Sequence, residues 1–158
     1  MDDLQSASAR RHPINSGRSV ANASELLAAL REAHRQIDSA SSDLEALSAA
    51  GAPDPAQFGI ARLRIGQAHL ARRHLAQKIY TALVSTLSAE EVEPVRELQR
   101  RDGELAQELS NHIRRWNPTT VREGWEAYVE ASRLIRARLR ALVATERSVI
   151  CPLLERLA

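Results

Sequence analysis

Polar side chains interrupt four stretches of the chain in which apolar residues otherwise recur every three or four positions. They are one histidine, one arginine and two acids: His34, Arg72, Asp102 and Glu146. Because this spacing places residues on one face of a helix, we expect all of them to point into a protein core. An isolated buried charge is costly, so such groups must pair with one another or bind a metal ion.

The elements that position these residues are predicted to be helices. Hydrophobic residues make up 44 % of the 158 positions but aromatic residues only 3 %, a composition that favours packed helices over a sheet. Asn22 and Glu25 have capping-box spacing at the start of the first helix. Glycine, proline and capping residues give four predicted helices, with approximate bounds 22–51, 56–87, 89–117 and, after a cap at Thr119 or Thr120, 120–158.

Amphipathic helices joined by short connections predict an all-α fold, an up-and-down four-helix bundle. Residues 22–158 should form this single domain. Residues 1–21 are rich in Ser, Ala and Arg and show no sustained apolar period, so we predict a flexible, disordered N-terminal tail there.

Two segments of the chain resemble the hemerythrin-like, HHE-type family of cation-binding four-helix bundles. The segment HRQID (34–38) is similar to the family's first helix. Glu146, followed by VICPLL (149–154), is similar to its last helix, where an acidic residue precedes a hydrophobic ending that contains proline and leucine. The resemblance spans about 22–158 and implies the same bundle fold.

The family resemblance also implies a site for two iron ions, held by histidines and bridging carboxylates. Three of the family's ligand positions carry residues that can bind metal, namely His34, Asp102 and Glu146. Other ligand positions carry residues that cannot: Ala71, Leu75 and Leu142. His69 lies at the edge of the same helix face and is a possible substitute. The complete di-iron ligand set is therefore missing.

Arg72 places a fixed positive charge close to where a cation would lie, and its planar guanidinium suits carboxylate partners. We therefore hypothesise that Arg72 replaces the metal in a buried polar layer with His34, Asp102 and Glu146, and that no cofactor is needed. The protein would then be a non-enzymatic, hemerythrin-like interaction or regulatory module that binds a protein partner. A metal-binding sensor is the alternative, with one iron or zinc ion held by His34, His69, Asp102 and Glu146.

Several arginines share one side of the last predicted helix and form a candidate partner-binding face: Arg133, Arg136, Arg140 and Arg147. They could instead pair with neighbouring acids on a solvated face. A nucleic-acid-associated protein that uses these arginines is a second alternative. The formal charge of only +2 and the absence of interleaved aromatic residues argue against it.

The remaining sequence features exclude several function classes. There is no nucleophile elbow, phosphate-binding glycine loop or Cys-x-x-Cys pair, so we do not expect an enzyme. Cys151 is the only cysteine, which rules out an intrachain disulfide and fits a reducing compartment. No uncharged stretch approaches the roughly 20 residues needed to cross a bilayer. No secretory signal is recognised at the N-terminus, and we expect a cytoplasmic protein.

Overall fold

The structure is a computed structural model that describes the backbone of residues 16–51 and 54–158, and the side chains of residues 22–51 and 54–158. These residues form helices without any strand, which confirms the predicted all-α class. The helices, numbered in chain order, are α1 (Ser16–Ala49), α2 (Pro55–Val84), α3 (Ala89–Arg115), α4 (Pro118–Glu123) and α5 (Trp125–Leu157).

The first helix begins upstream of its predicted start. α1 starts at Ser16, and Asn22 lies inside it, because no proline interrupts the sequence between these two positions. The rest of the predicted tail, residues 1–15, lies outside the described residues. At the other end of α1, Gly51 has a positive φ of 94°, a conformation that glycine adopts without steric cost.

Side-chain caps fix where α2 and α3 begin. Asp54 Oδ2 accepts a hydrogen bond from the Gln57 backbone N–H at 3.2 Å, with Pro55 in the first turn. At α3, Ser88 and Glu91 form a capping box, in which each side chain accepts a hydrogen bond from the backbone N–H of the other. These contacts satisfy N–H groups that have no partner within the helix.

The last predicted helix is in fact two helices. Asn117, rather than Thr119 or Thr120, is the cap, because its Oδ1 accepts from the backbone N–H groups of both threonines, at 3.0 and 3.1 Å. α4 ends at Glu123, and α5 begins after Gly124. Glycine has one of the lowest helix propensities, which explains the interruption at this position.

The four long helices pack around a common core. α1 and α3 each contact α2 and α5, and α4 packs against α5. In the ion pairs between α1 and α5, residue numbers rise along α1 as they fall along α5: Arg31–Glu155, Asp38–Arg147 and Glu45–Arg140. Those between α3 and α5 do the same: Glu91–Arg156 and Glu108–Arg138. α5 is therefore antiparallel to both α1 and α3.

The core has two parts of different composition. The larger part consists mainly of Leu, Ile, Val and Ala side chains from the four long helices. The smaller part contains most of the aromatic residues and includes Leu44, Phe58, Ala61, Trp116, Val121 and Tyr128. Within the described residues, no helix combines the length and the hydropathy that a bilayer-spanning segment requires.

Candidate functional site

The structure brings four polar side chains into contact inside the larger part of the core. α1 contributes His34, α2 contributes Arg72, α3 contributes Asp102 and α5 contributes Glu146, and each is at most 1 % exposed. We call these four residues the buried polar layer. Its members lie on the inward helix faces, because a buried apolar residue lies three or four positions before and after each of them.

Arg72 is the central residue of the layer. Its Nη1 donates a hydrogen bond to Glu146 Oε1 at 2.5 Å, and its Nη2 donates to Asp102 Oδ1. Burial alone would lower the pKa of Arg72, but the negative charges of Glu146 and Asp102 outweigh burial and raise the pKa. The guanidinium therefore stays charged, and it links α2 to both α3 and α5.

Glu146 has two further partners in the core. The His34 Nε2 lies 2.8 Å from Glu146 Oε2. The Tyr80 hydroxyl donates to Glu146 Oε1 at 2.5 Å. Burial, and next the charge of Glu146, raise the pKa of Tyr80 well above its usual range, so the hydroxyl remains a donor. Both carboxylate oxygens of Glu146 are thus occupied by protein groups.

Both carboxylate oxygens of Asp102 also have protein partners. Beyond its bond from Arg72, its Oδ2 accepts from Gln77 Nε2 at 2.8 Å. The same oxygen lies 3.3 Å from Nε of Arg73, whose side chain is 36 % exposed. The two carboxylates of the layer consequently face two guanidinium groups, one inside the core and one at its edge, and their charges balance.

Sequence reasoning did not assign Tyr80, Gln77 or Arg73 to the layer. A signal existed for Tyr80, because it lies within the buried stripe of α2 and a buried tyrosine usually needs a hydrogen-bond partner. Gln77 and Arg73 lie on the flank of the helix, where polar residues normally face water. Their contacts with Asp102 depend on how α2 packs on α3, which the pattern within α2 does not reveal.

The layer does not offer the donor set of a metal site. Among the residues that the structure describes, no three His, Cys, Asp or Glu side chains come together in a way that could hold a metal ion. The carboxylate oxygens already accept hydrogen bonds, and a guanidinium lies between the two carboxylates. A cation placed there would meet a fixed positive charge.

His69, which the sequence offered as a further ligand, is buried but makes no hydrogen bond with the layer. Its Nδ1 has no partner among the described residues. Burial, followed by the charge of Arg72, lowers the pKa of His69 to about 4, so the ring is neutral near pH 7. His69 therefore lies close enough to the layer to respond to its charge.

The two positions of α2 that the family resemblance assigned to ligands do not face the layer. Ala71 is exposed and Leu75 is only partly buried, so neither occupies an inward position in the layer. The inward residue is Arg72, which continues the buried face formed by Ala68 and Ala76. One residue corresponds to about 100° of rotation around a helix, so a shift of a single position moves a side chain off the face.

The predicted arginine face on α5 does not exist as a single exposed set. Arg136 is only 4 % exposed, because it shares the inward side of α5 with Ser132. The other three arginines form surface ion pairs: Arg133 with Glu130 at 2.6 Å, Arg140 with Glu45 at 2.5 Å and Arg147 with Asp38 at 2.5 Å. Neighbouring acids therefore neutralise most of this positive charge.

Comparisons with protein-family models, curated protein sequences and solved structures found no match to this chain. The resemblance to hemerythrin-like bundles consequently stands on the segment 34–38 and on Glu146 with 149–154.

Proposed function

We propose that this protein is a non-enzymatic relative of the hemerythrin-like bundles, with up-and-down topology, in which an arginine has replaced the metal. The antiparallel arrangement of α5 with α1 and α3 supports this topology. The HRQID segment places His34, and the last helix places Glu146, at positions that resemble the family's ligand positions. These two residues contact each other directly, and Glu146 also accepts a hydrogen bond from Arg72.

The observation that carries the proposal is the position of the Arg72 guanidinium between Glu146 and Asp102. Two unit positive charges about 4 Å apart repel by roughly 4 kcal/mol at an effective dielectric constant near 20, and a divalent ion would be repelled more strongly. Arg72 supplies the positive charge that the carboxylates need, and each of the four carboxylate oxygens already has a protein partner. The layer therefore fits a structural role better than a metal-binding one.

Burial of the layer also supports a non-enzymatic role. The four side chains best suited to chemistry are at most 1 % exposed and are partnered by one another. A substrate would have to open the bundle to reach them. We therefore assign the function to the outer surface, as a small interaction or regulatory module that binds a protein partner in the cytoplasm.

Elemental analysis of protein purified from iron-supplemented and zinc-supplemented cultures tests this proposal. We expect no stoichiometric metal and no ligand-to-metal absorption band, because the carboxylates of the layer are already bound to Arg72. One iron or zinc ion per chain would favour the alternative of a mononuclear sensor. Two iron ions per chain would overturn the proposal. An Arg72→Leu variant is the matched comparison, because it removes the guanidinium and leaves His34, Asp102 and Glu146 in place.

A further inference from the structure

A second buried arginine lies toward the aromatic part of the core, and it lacks the partners that Arg72 has. Arg136 Nη1 donates to Ser132 Oγ at 2.5 Å, while its Nε has no hydrogen-bond partner among the described residues. Among the residues whose side chains the structure describes, no carboxylate forms an ion pair with Arg136. Glu45 is the nearby acid, and its Oε2 already accepts from Arg140.

The two buried arginines therefore differ in whether a carboxylate neutralises their positive charge. Arg72 contacts two carboxylates, and its pKa is raised. Arg136 is 4 % exposed without a carboxylate, and burial lowers its pKa. A buried guanidinium without a counter-charge is costly, and removing that cost requires an anion from another source.

Two further basic side chains lie beside the ring of Tyr128, which is on the same helix as Arg136. The guanidinium carbon of Arg62, on α2, lies 5.4 Å from the centre of the Tyr128 ring. The centre of the His112 ring, on α3, lies 5.8 Å from it. Burial, followed by the charges of Arg62 and Arg136, lowers the pKa of His112 to about 4. We call Arg62, His112 and Arg136 the basic cluster.

We propose that the basic cluster binds a small oxyanion of the phosphate class beside Tyr128, between α2, α3 and α5. The unpartnered Nε of Arg136 supplies a buried donor, and a guanidinium matches the spacing of oxyanion oxygens. Arg62 and His112 are only partly buried, so the cluster reaches solvent at these two residues. The anion supplies the negative charge that the surrounding residues do not. This inference is independent of whether the buried polar layer binds metal.

Thermal unfolding in increasing inorganic phosphate, at constant ionic strength, tests the proposal. We expect a saturating rise in Tm of about 3–6 °C at a phosphate concentration tenfold above the dissociation constant. Arg136→Met should abolish this rise, because it removes the buried donor. Arg133→Met is the matched control on the same helix, since Arg133 is exposed and paired with Glu130, and it should respond as the wild type does.

Two further measurements keep the proposal falsifiable if Arg136→Met unfolds. Arg62→Gln removes a partly buried member of the cluster, and it should weaken phosphate binding roughly tenfold in a calorimetric titration. Chloride at equal ionic strength should give no saturating response. A Tm that rises linearly with phosphate in all variants, a saturating response to chloride alone, or unchanged affinity in Arg62→Gln would each overturn the assignment.

Discussion

Arg72 Nη1 lies 2.5 Å from Glu146 Oε1, and neither side chain has any exposed surface. This contact joins α2 to α5, and Nη2 of the same guanidinium reaches Asp102 on α3. If one of these helices shifted along its axis by a turn, a buried charge would lose its partner. We therefore infer that the layer fixes the register of the bundle, as buried polar groups do in some other helical assemblies.

The hydrogen bond from Tyr80 to Glu146 gives a selective test of the layer. Tyr80→Phe should lower the free energy of unfolding by about 1.5–3 kcal/mol, because it removes a donor to a buried carboxylate. Urea unfolding at pH 7 in phosphate-free buffer measures the loss. Tyr128→Phe is the matched control, since Tyr128 is equally buried, and we expect a loss below about 0.5 kcal/mol. Equal losses in the two variants would show that the Tyr80 contact contributes nothing specific.

The depressed pKa of His69 predicts a particular dependence of stability on pH. The folded ring titrates at about 4 and the unfolded ring near 6.5, so between these values the unfolded state binds more protons. Stability therefore falls as the pH falls through this window, and His69 should account for about 2 kcal/mol of the loss between pH 7 and pH 5.

Urea unfolding of His69→Gln at the two pH values measures this contribution by difference from the wild type. The slope of stability against pH should be smaller in the variant, because glutamine does not titrate. His74→Gln serves as the control on the exposed side of α2, and it should keep the wild-type slope. Identical slopes in wild type and His69→Gln would contradict the assigned environment of His69.

The ion-paired arginines of α5 predict weak interaction with nucleic acid. Arg133, Arg140 and Arg147 each contact an acid, which leaves little free positive charge for phosphate groups. Fluorescence anisotropy with labelled DNA and RNA should detect no binding at about 150 mM salt, the physiological ionic strength. Binding whose affinity falls steeply with salt, and which Arg140→Ala weakens, would revive the nucleic-acid alternative.

The sequence indicated the helical class and the polar positions for the same physical reason. A period of three and four residues identifies a buried helix face, and a polar side chain on that face is conspicuous because its burial is costly. His34, Arg72, Asp102 and Glu146 interrupt such stripes. Their mutual contact depends on helix packing, which only the structure shows.

Other features could not be derived from periodicity alone. The division at Gly124 depends on local capping, since Asn117 competes with two adjacent threonines for the same role. The burial of Arg136 depends on how α5 faces its neighbours, and an arginine-rich helix has no sequence signal that separates inward from outward arginines. Arg72, rather than the neighbouring Ala71, faces the core because of how α2 is rotated against the other helices, and adjacent positions on one helix differ by about 100°.

A double-mutant cycle between Arg72 and Glu146 tests the central claim most directly. Glu146→Leu alone should cost about 3–5 kcal/mol in the free energy of unfolding, because it leaves one guanidinium contact of Arg72 unpaired in the core. Adding Arg72→Leu should recover part of this loss, because Asp102 keeps its contacts to Gln77 and Arg73. We expect a coupling energy of about 2–3 kcal/mol between Arg72 and Glu146.

The exposed pair of Asp38 and Arg147 provides the reference cycle, with a coupling below about 1 kcal/mol. The measurement is urea unfolding of the wild type, the two single variants and the double variant at each pair. A coupling clearly larger at Arg72 and Glu146 than at the reference pair is the predicted result. Losses that simply add at Arg72 and Glu146 would contradict the claim that this arginine neutralises the buried carboxylate.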